Sequence, residues 1–235
     1  MTLKEVMQEL ESYGNEQTKK TLMRHGAKEP FFGVKVQDLK KIVKKVKKDH
    51  ELSLQLFDTG NSDAMYLAGL IADESKITKD QLQDWAEKAY WYYLSEYAVA
   101  AVCAESPHGL EMALKWIESN NQRIASSGWA TLSGMASIRD DDELDIPIYK
   151  TLLKRVENSI HDSKNRIKYT MNGFVIAVGT YIESLSEEAK TVAENIGKVE
   201  VYMGNTACKV PLASTYIQKV VDRDKVGKKR KVARC

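Results

Sequence analysis

The chain has 235 residues, 43% hydrophobic and 29% charged, which is enough apolar material for a real core and excludes an intrinsically disordered chain. No run approaches the roughly 18 uninterrupted apolar residues of a membrane span, and the acid-bearing start MTLKEVMQEL reads as an amphipathic helix rather than a signal or transit peptide. Three cysteines without a CxxC pair give no disulfide framework, and four scattered histidines give no metal-ligand spacing; a reduced, cytoplasmic, monomeric protein with no metal and no cofactor is expected.

The net charge of +2 conceals two basic poles. Residues 35–48 carry seven lysines and one aspartate, and residues 223–235 carry seven Lys/Arg and one aspartate, so the other 208 residues are net acidic. Two such poles on an acidic body point to a polyanionic partner, although a solvated lysine face and a loose basic tail would give the same counts.

Helix signals follow one another along the chain. Leu39, Ile42, Val43 and Val46 make one apolar stripe at helical spacing, and Lys40, Lys41, Lys44, Lys45, Lys47 and Lys48 fill the rest of that helix. The Ala- and Leu-rich stretch from Asn61 to Asp73 reads as a buried helix. Thr78 with Gln81 is a capping box for a helix running into the aromatic run Tyr90–Tyr93. Pro107 suits the first turn of another helix, and Ser186 before Glu187 and Glu188 suits an N-cap. A faint repeat links Asn121-Gln122-Arg123-Ile124 to Lys164-Asn165-Arg166-Ile167, 43 residues on, a spacing that matches the roughly 40–47 residues of HEAT-type helix pairs. Small residues in the second helices of these units allow close packing. Alternation on either side of Gly204-Asn205 predicts a β-hairpin over 198–210. A short helix to about Val221 should follow Pro211. The whole reads as one domain over 1–222, with 223–235 as a mobile basic tail.

Three segments carry a resemblance: Phe31-Phe32-Gly33-Val34 leading into the lysine-rich helix, Tyr90-Trp91-Tyr92-Tyr93, and Lys115-Trp116-Ile117-Glu118-Ser119-Asn120. Their order resembles that of the HEAT-like alkylpurine DNA glycosylases of the AlkD type, from about Pro30 to Ser186. The resemblance implies an all-α, C-shaped superhelix of antiparallel helix pairs with a positive concave groove for DNA. It also implies a site of two tryptophans and an aspartate beside the lesion. There a carboxylate would stabilise an oxocarbenium-like sugar, a kind of term commonly worth roughly 10²–10³ in rate.

Carried over by position, the first tryptophan falls on Trp91, the aspartate on Ser95, and the second tryptophan on Phe174. Glu96 is adjacent to Ser95, but at 3.6 residues per turn it should point about 100° away. The family's arginine falls near Ser126, with Arg123 three residues before it on the same face. The carboxylate is thus lost, and the chain looks closer to a branch that binds unusual or branched DNA without excising bases. Lys40, Lys44, Lys45, Trp91, Arg123, Arg166 and Lys168 are the expected DNA contacts. Two alternatives stay open: an active N3/N7-alkylpurine glycosylase working with Trp91, Glu96 and Phe174, and a protein-interaction scaffold.

Overall fold

The computed structural model describes residues 1–204 and 206–234. Among them are thirteen α-helices: α1 (Leu3–Ser12), α2 (Glu16–Arg24), α3 (Val36–Val46), α4 (His50–Asp58), α5 (Ser62–Ile71), α6 (Lys79–Lys88), α7 (Ala100–Glu105), α8 (Gly109–Ile117), α9 (Gln122–Ile138), α10 (Ile146–Ser159), α11 (Asn165–Tyr181), α12 (Ser186–Ile196) and α13 (Ala213–Val221). A π-helical turn, Tyr93–Val99, runs directly into α7. From α4 onward the helices pack as successive pairs: α4 with α5, α6 with the π-turn, α8 with α9, α10 with α11, and α12 with α13. The second members, α5, π-turn–α7, α9, α11 and α13, also pack side by side in one row. This is a HEAT-like helical-repeat architecture.

Local chemistry explains the elements. Thr78 and Gln81 form the expected capping box, and Asn61 caps α5 through the N–H groups of Asp63 and Ala64. On α3 the expected stripe faces inward, with Leu39 and Ile42 buried. The close packing of paired helices is visible at Gly128, where a Cβ would sit 2.8 Å from the Ala113 carbonyl of α8. The repeat is physical as well as textual. Arg123 and Arg166 are each the second residue of their helices, Lys164 Nζ donates to the Asn120 carbonyl, and the Arg166 N–H donates to Gln122 Oε1.

The Phe-Phe-Gly-Val segment proves to be an anchored turn. The N–H groups of Phe32, Gly33 and Val34 all donate to the buried Asp63 carboxylate at 2.6–3.1 Å. Gly33 has φ +80°, and a Cβ there would meet the Lys19 nitrogen at 2.7 Å, so no other residue fits. Two hydrophobic clusters fill the stack. The first, from Val6 to Ile124, holds Trp85 stacked on Phe57 at 4.2 Å; the second, from Ala104 to Ile217, holds Phe174 between Trp129 and Tyr149.

Four expectations fail, the smallest at Pro107, which precedes His108, the N-cap of α8, and is not in the helix's first turn. There is no β-hairpin over 198–210: the described residues of that segment form no strand, and Asn205 of its expected turn lies outside them. The reason is competition for the backbone. Asn165 of α11 takes both polar groups of Tyr202, accepting its N–H at 2.7 Å and donating to its carbonyl at 2.8 Å, while Val199 turns into the second core. The segment is a long loop that passes the start of α11, reaches α2 at its tip, where Thr206–Cys208 line a pocket with Thr21, Arg24 and His25, and returns beside Lys198–Tyr202. Ser186 does not cap α12; its hydroxyl donates to the Gly179 carbonyl instead. Nor is the basic C-terminus loose. Residues 226–234 form a strap bound to four second-row helices, through Gly227 N–H to Thr180 O, Arg230 N–H to Ser137 O, Ala233 N–H to Glu105 Oε1, and Arg234 Nη1 to Ala72 O. No helix among the described residues is long and apolar enough to cross a membrane.

Candidate nucleic-acid interface

Of the residues singled out by position, Glu96, Ser126 and Arg166 meet where the π-turn, α9 and α11 pack together. The π-turn sets the register. The Ala100 N–H reaches back five residues to the Ser95 carbonyl, and the Ser127 hydroxyl of α9 donates to that same oxygen at 2.9 Å. The turn is therefore wider than 3.6 residues, and side chains fall differently from an α-helical expectation. Ser95 is fully buried, and it is Glu96 that lines the cleft. The expectation that Glu96 points away is corrected.

Glu96 is not a free acid. Arg166 grips it in a two-toothed pair, Nε to Oε1 at 2.9 Å and Nη2 to Oε2 at 2.5 Å, with side chains only 3% and 12% exposed. The guanidinium lies between two tyrosine rings, 4.2 Å from the Tyr92 centroid and 4.3 Å from that of Tyr169. Met203 of the long loop approaches its third side. Burial pushes the Glu96 carboxyl above its ordinary value, against the pull of Arg166 and Ser126. Burial also works against the Arg166 cation, but the carboxylate outweighs it and raises the arginine's pKa. The pair is a sealed unit, and the Arg166 side chain is engaged by Glu96, Tyr92 and Tyr169.

The two aromatic positions are equally closed. Trp91 is 4% exposed, its indole N–H donating to Ser62 Oγ at 3.0 Å, and Phe174 is fully buried in the second core. Neither faces the cleft. What faces it is a surface of small residues, including Ala130, Gly134 and Gly173, around a cavity of about 260 Å³ also lined by Glu96, Tyr97, Tyr169 and Arg230. Tyr97 remains 41% exposed there.

The expected phosphate contacts divide into two groups. Arg123 and Lys168 are half-buried at the starts of α9 and α11, and Arg123 Nε lacks a hydrogen-bond partner. Lys40 and Lys44 are exposed on α3, which packs on α1 and α5 at the N-terminal end; Lys45 beside them pairs with Glu9 at 2.5 Å. Among the described residues no group of three or more His, Cys, Asp or Glu side chains could hold a metal ion. Sequence reasoning missed the partnership of Glu96 with Arg166, whose only signal was a cation at a helix start, where the dipole disfavours it. It also missed the place of the strap.

Paired helices whose second members line a cleft define a helical-repeat protein. Residues 6–208 match the family model described as DNA alkylation repair enzyme, and the chain belongs to that family. It is 36% identical over 231 residues to the uncharacterized protein Lmo0209 of Listeria monocytogenes, covering 96% of this chain and all of that one. It is 34% identical over 229 residues to the uncharacterized protein Lin0241 of Listeria innocua, covering 95% and 99%. A solved structure with 40% identity and a TM-score of 0.93 over the whole of both chains is described as a new family of proteins related to the HEAT-like repeat DNA glycosylases with affinity for branched DNA structures.

Proposed function

We propose that this protein binds DNA, favouring branched structures, through cations beside the second-helix row of a C-shaped stack, and that it does not excise bases. The sealed Glu96–Arg166 pair carries the reading. Breaking a glycosidic bond through a cationic sugar needs an uncompensated carboxylate where the charge develops. The cleft's carboxylate already faces a guanidinium within hydrogen-bond distance, and its charge is balanced before any nucleotide arrives. The buried Trp91 and Phe174 have no face to offer a displaced base. Affinity for branched DNA in a relative of 40% identity supports the choice of ligand.

Labelled four-way junction, duplex and single-stranded DNA, titrated at two salt concentrations, test this directly. The junction should bind tightest, and affinity should fall steeply with salt, since each phosphate contact contributes a slope of about −0.9 in log K against log salt. The same mixtures with methylated duplex should release no free base above the spontaneous rate. Base release would restore the glycosylase reading, and absence of any DNA binding would remove both.

A further inference from the structure

The second-helix row has two edges of opposite native character. The starts of α9 and α11 carry Arg123, Lys164 and Lys168. The other edge, at the helix ends, is acidic. Asp73 and Glu74 follow α5, Glu105 ends α7, Asp140, Asp141, Asp142 and Glu143 follow α9, and Glu183 follows α11. Helix C-termini add the negative pole of their dipoles. Left bare, that edge repels any polyanion lying across the row.

The strap covers it. Arg234 pairs with Glu74 at 2.6 Å and Glu105 at 2.8 Å while donating to the Ala72 carbonyl. Lys229 pairs with Asp141 at 2.8 Å and donates to the Ala136 carbonyl. Those two cations face inward. Between and beside them Lys228, Arg230 and Lys231 stay exposed, and their side chains make no hydrogen bond or ion pair among the described residues. Arg230, its backbone pinned to Ser137, lines the cleft itself. The strap lies outside residues 6–208 that match the family.

We propose that the strap is the second phosphate-binding edge of this surface. Its inward cations neutralise the acidic helix ends, and Lys228, Arg230 and Lys231 contact the backbone of a DNA arm lying across the row. The row from the start to the end of α11, 17 residues, spans about 25 Å at about 1.5 Å per residue, room for a backbone on each side of a major groove about 12 Å wide. This inference rests on the DNA-binding reading above.

The test compares the whole chain with K228Q/R230Q/K231Q and with a control of equal charge change on the first-helix row, K115Q/K150Q/K154Q. Junction and duplex binding are titrated from about 50 to 200 mM salt. The strap variant should lose up to three contacts, making the salt slope shallower by about 2–3 and weakening binding roughly tenfold or more; the control should match the unaltered chain. Lysine-acetylation footprinting of the unaltered chain should show Lys228 and Lys231 shielded by DNA, an outcome independent of how any variant folds. Unchanged slope in the strap variant, an equal loss in the control, or unshielded lysines overturns the strap's role while leaving DNA binding intact. An unaltered chain that binds no DNA fails at the earlier step and takes both proposals with it.

Discussion

Arg166 and Glu96 show how a residue-scale arrangement can fix what a surface does. Removing one member of a buried ion pair leaves the other charge unsolvated, a loss of about 3–5 kcal/mol. Arg166→Met should therefore destabilise the chain by that amount in urea unfolding, and the double variant Glu96→Gln/Arg166→Met should recover most of it. The loss also depends on pH. The folded pKa of Glu96 lies above 4.5 because the carboxyl is buried, so the folded state favours its proton. The associated stability is full below the unfolded value and is lost as pH rises through the folded one. Without Arg166 the opposing pull disappears, and the deficit of Arg166→Met should shrink as pH falls from about 8 to about 5. A deficit that stayed constant over that range would mean Glu96 is solvated in the variant. Almost none of this was legible in the residues alone. Ser95 and Glu96 could be placed by position, but helical-wheel reasoning assumes 3.6 residues per turn, and here the Ala100 N–H bonds the Ser95 carbonyl five residues back. Phe174 and Trp91 were legible as aromatic positions, yet only packing decides whether such a ring faces a groove or a core.

At the scale of elements, local signals read true where a partner lies within a few residues. The Thr78 box and the α3 stripe both depend on neighbours in sequence. The 198–210 loop and the strap do not. Their backbone partners, Asn165, Ser137, Glu105 and Ala72, lie 37 to 162 residues away, and no alternation or charge count names them. The strap should be a stabilising element, and ending the chain at Lys225 should cost about 2–4 kcal/mol, a few net hydrogen bonds at about 1 kcal/mol each. For a chain of this size that lowers Tm by about 2–4 °C per kcal/mol. Acid should erase part of the difference. Burial works to raise the Glu74 pKa, but Lys48, its own backbone and Arg234 outweigh it and hold the carboxyl below 4.5. A lowered carboxyl contributes stability above its unfolded value and loses it as pH falls through the folded one. The Tm gap between full and shortened chains should thus be widest near neutrality and narrow below the ordinary carboxylate range. A gap that widened in acid would show that Glu74 does not hold the strap.

In a helical-repeat stack each unit touches chiefly its neighbours, and cooperativity is then a sum of local interfaces. Here the interior is divided into two hydrophobic clusters meeting near α8 and α9, with Trp85, Trp91 and Trp116 in the first and Trp129 in the second. Besides the Glu96–Arg166 pair between the π-turn and α11, two longer-range ties span that division. The strap reaches from α11 to Ala72 and Glu74, and the 198–210 loop reaches from α12 to the end of α2. Both bind the C-terminal half to the first cluster without passing through the intervening pairs. Intact, the chain should unfold in one step, with tryptophan fluorescence and far-ultraviolet circular dichroism superimposing. Cutting both ties, by ending the chain at Lys225 and replacing Asn165 with Ala to free Tyr202, should separate the two signals. Fluorescence follows the first cluster, which holds three of the four tryptophans, whereas dichroism follows all the helices. Each change alone should leave the curves coincident, because one tie still couples the halves. If the doubly altered chain unfolded in a single superimposed transition, the Glu96–Arg166 pair and the packing of neighbouring helices would suffice to couple the clusters. The strap and loop would then serve the surface and not the cooperativity of the stack.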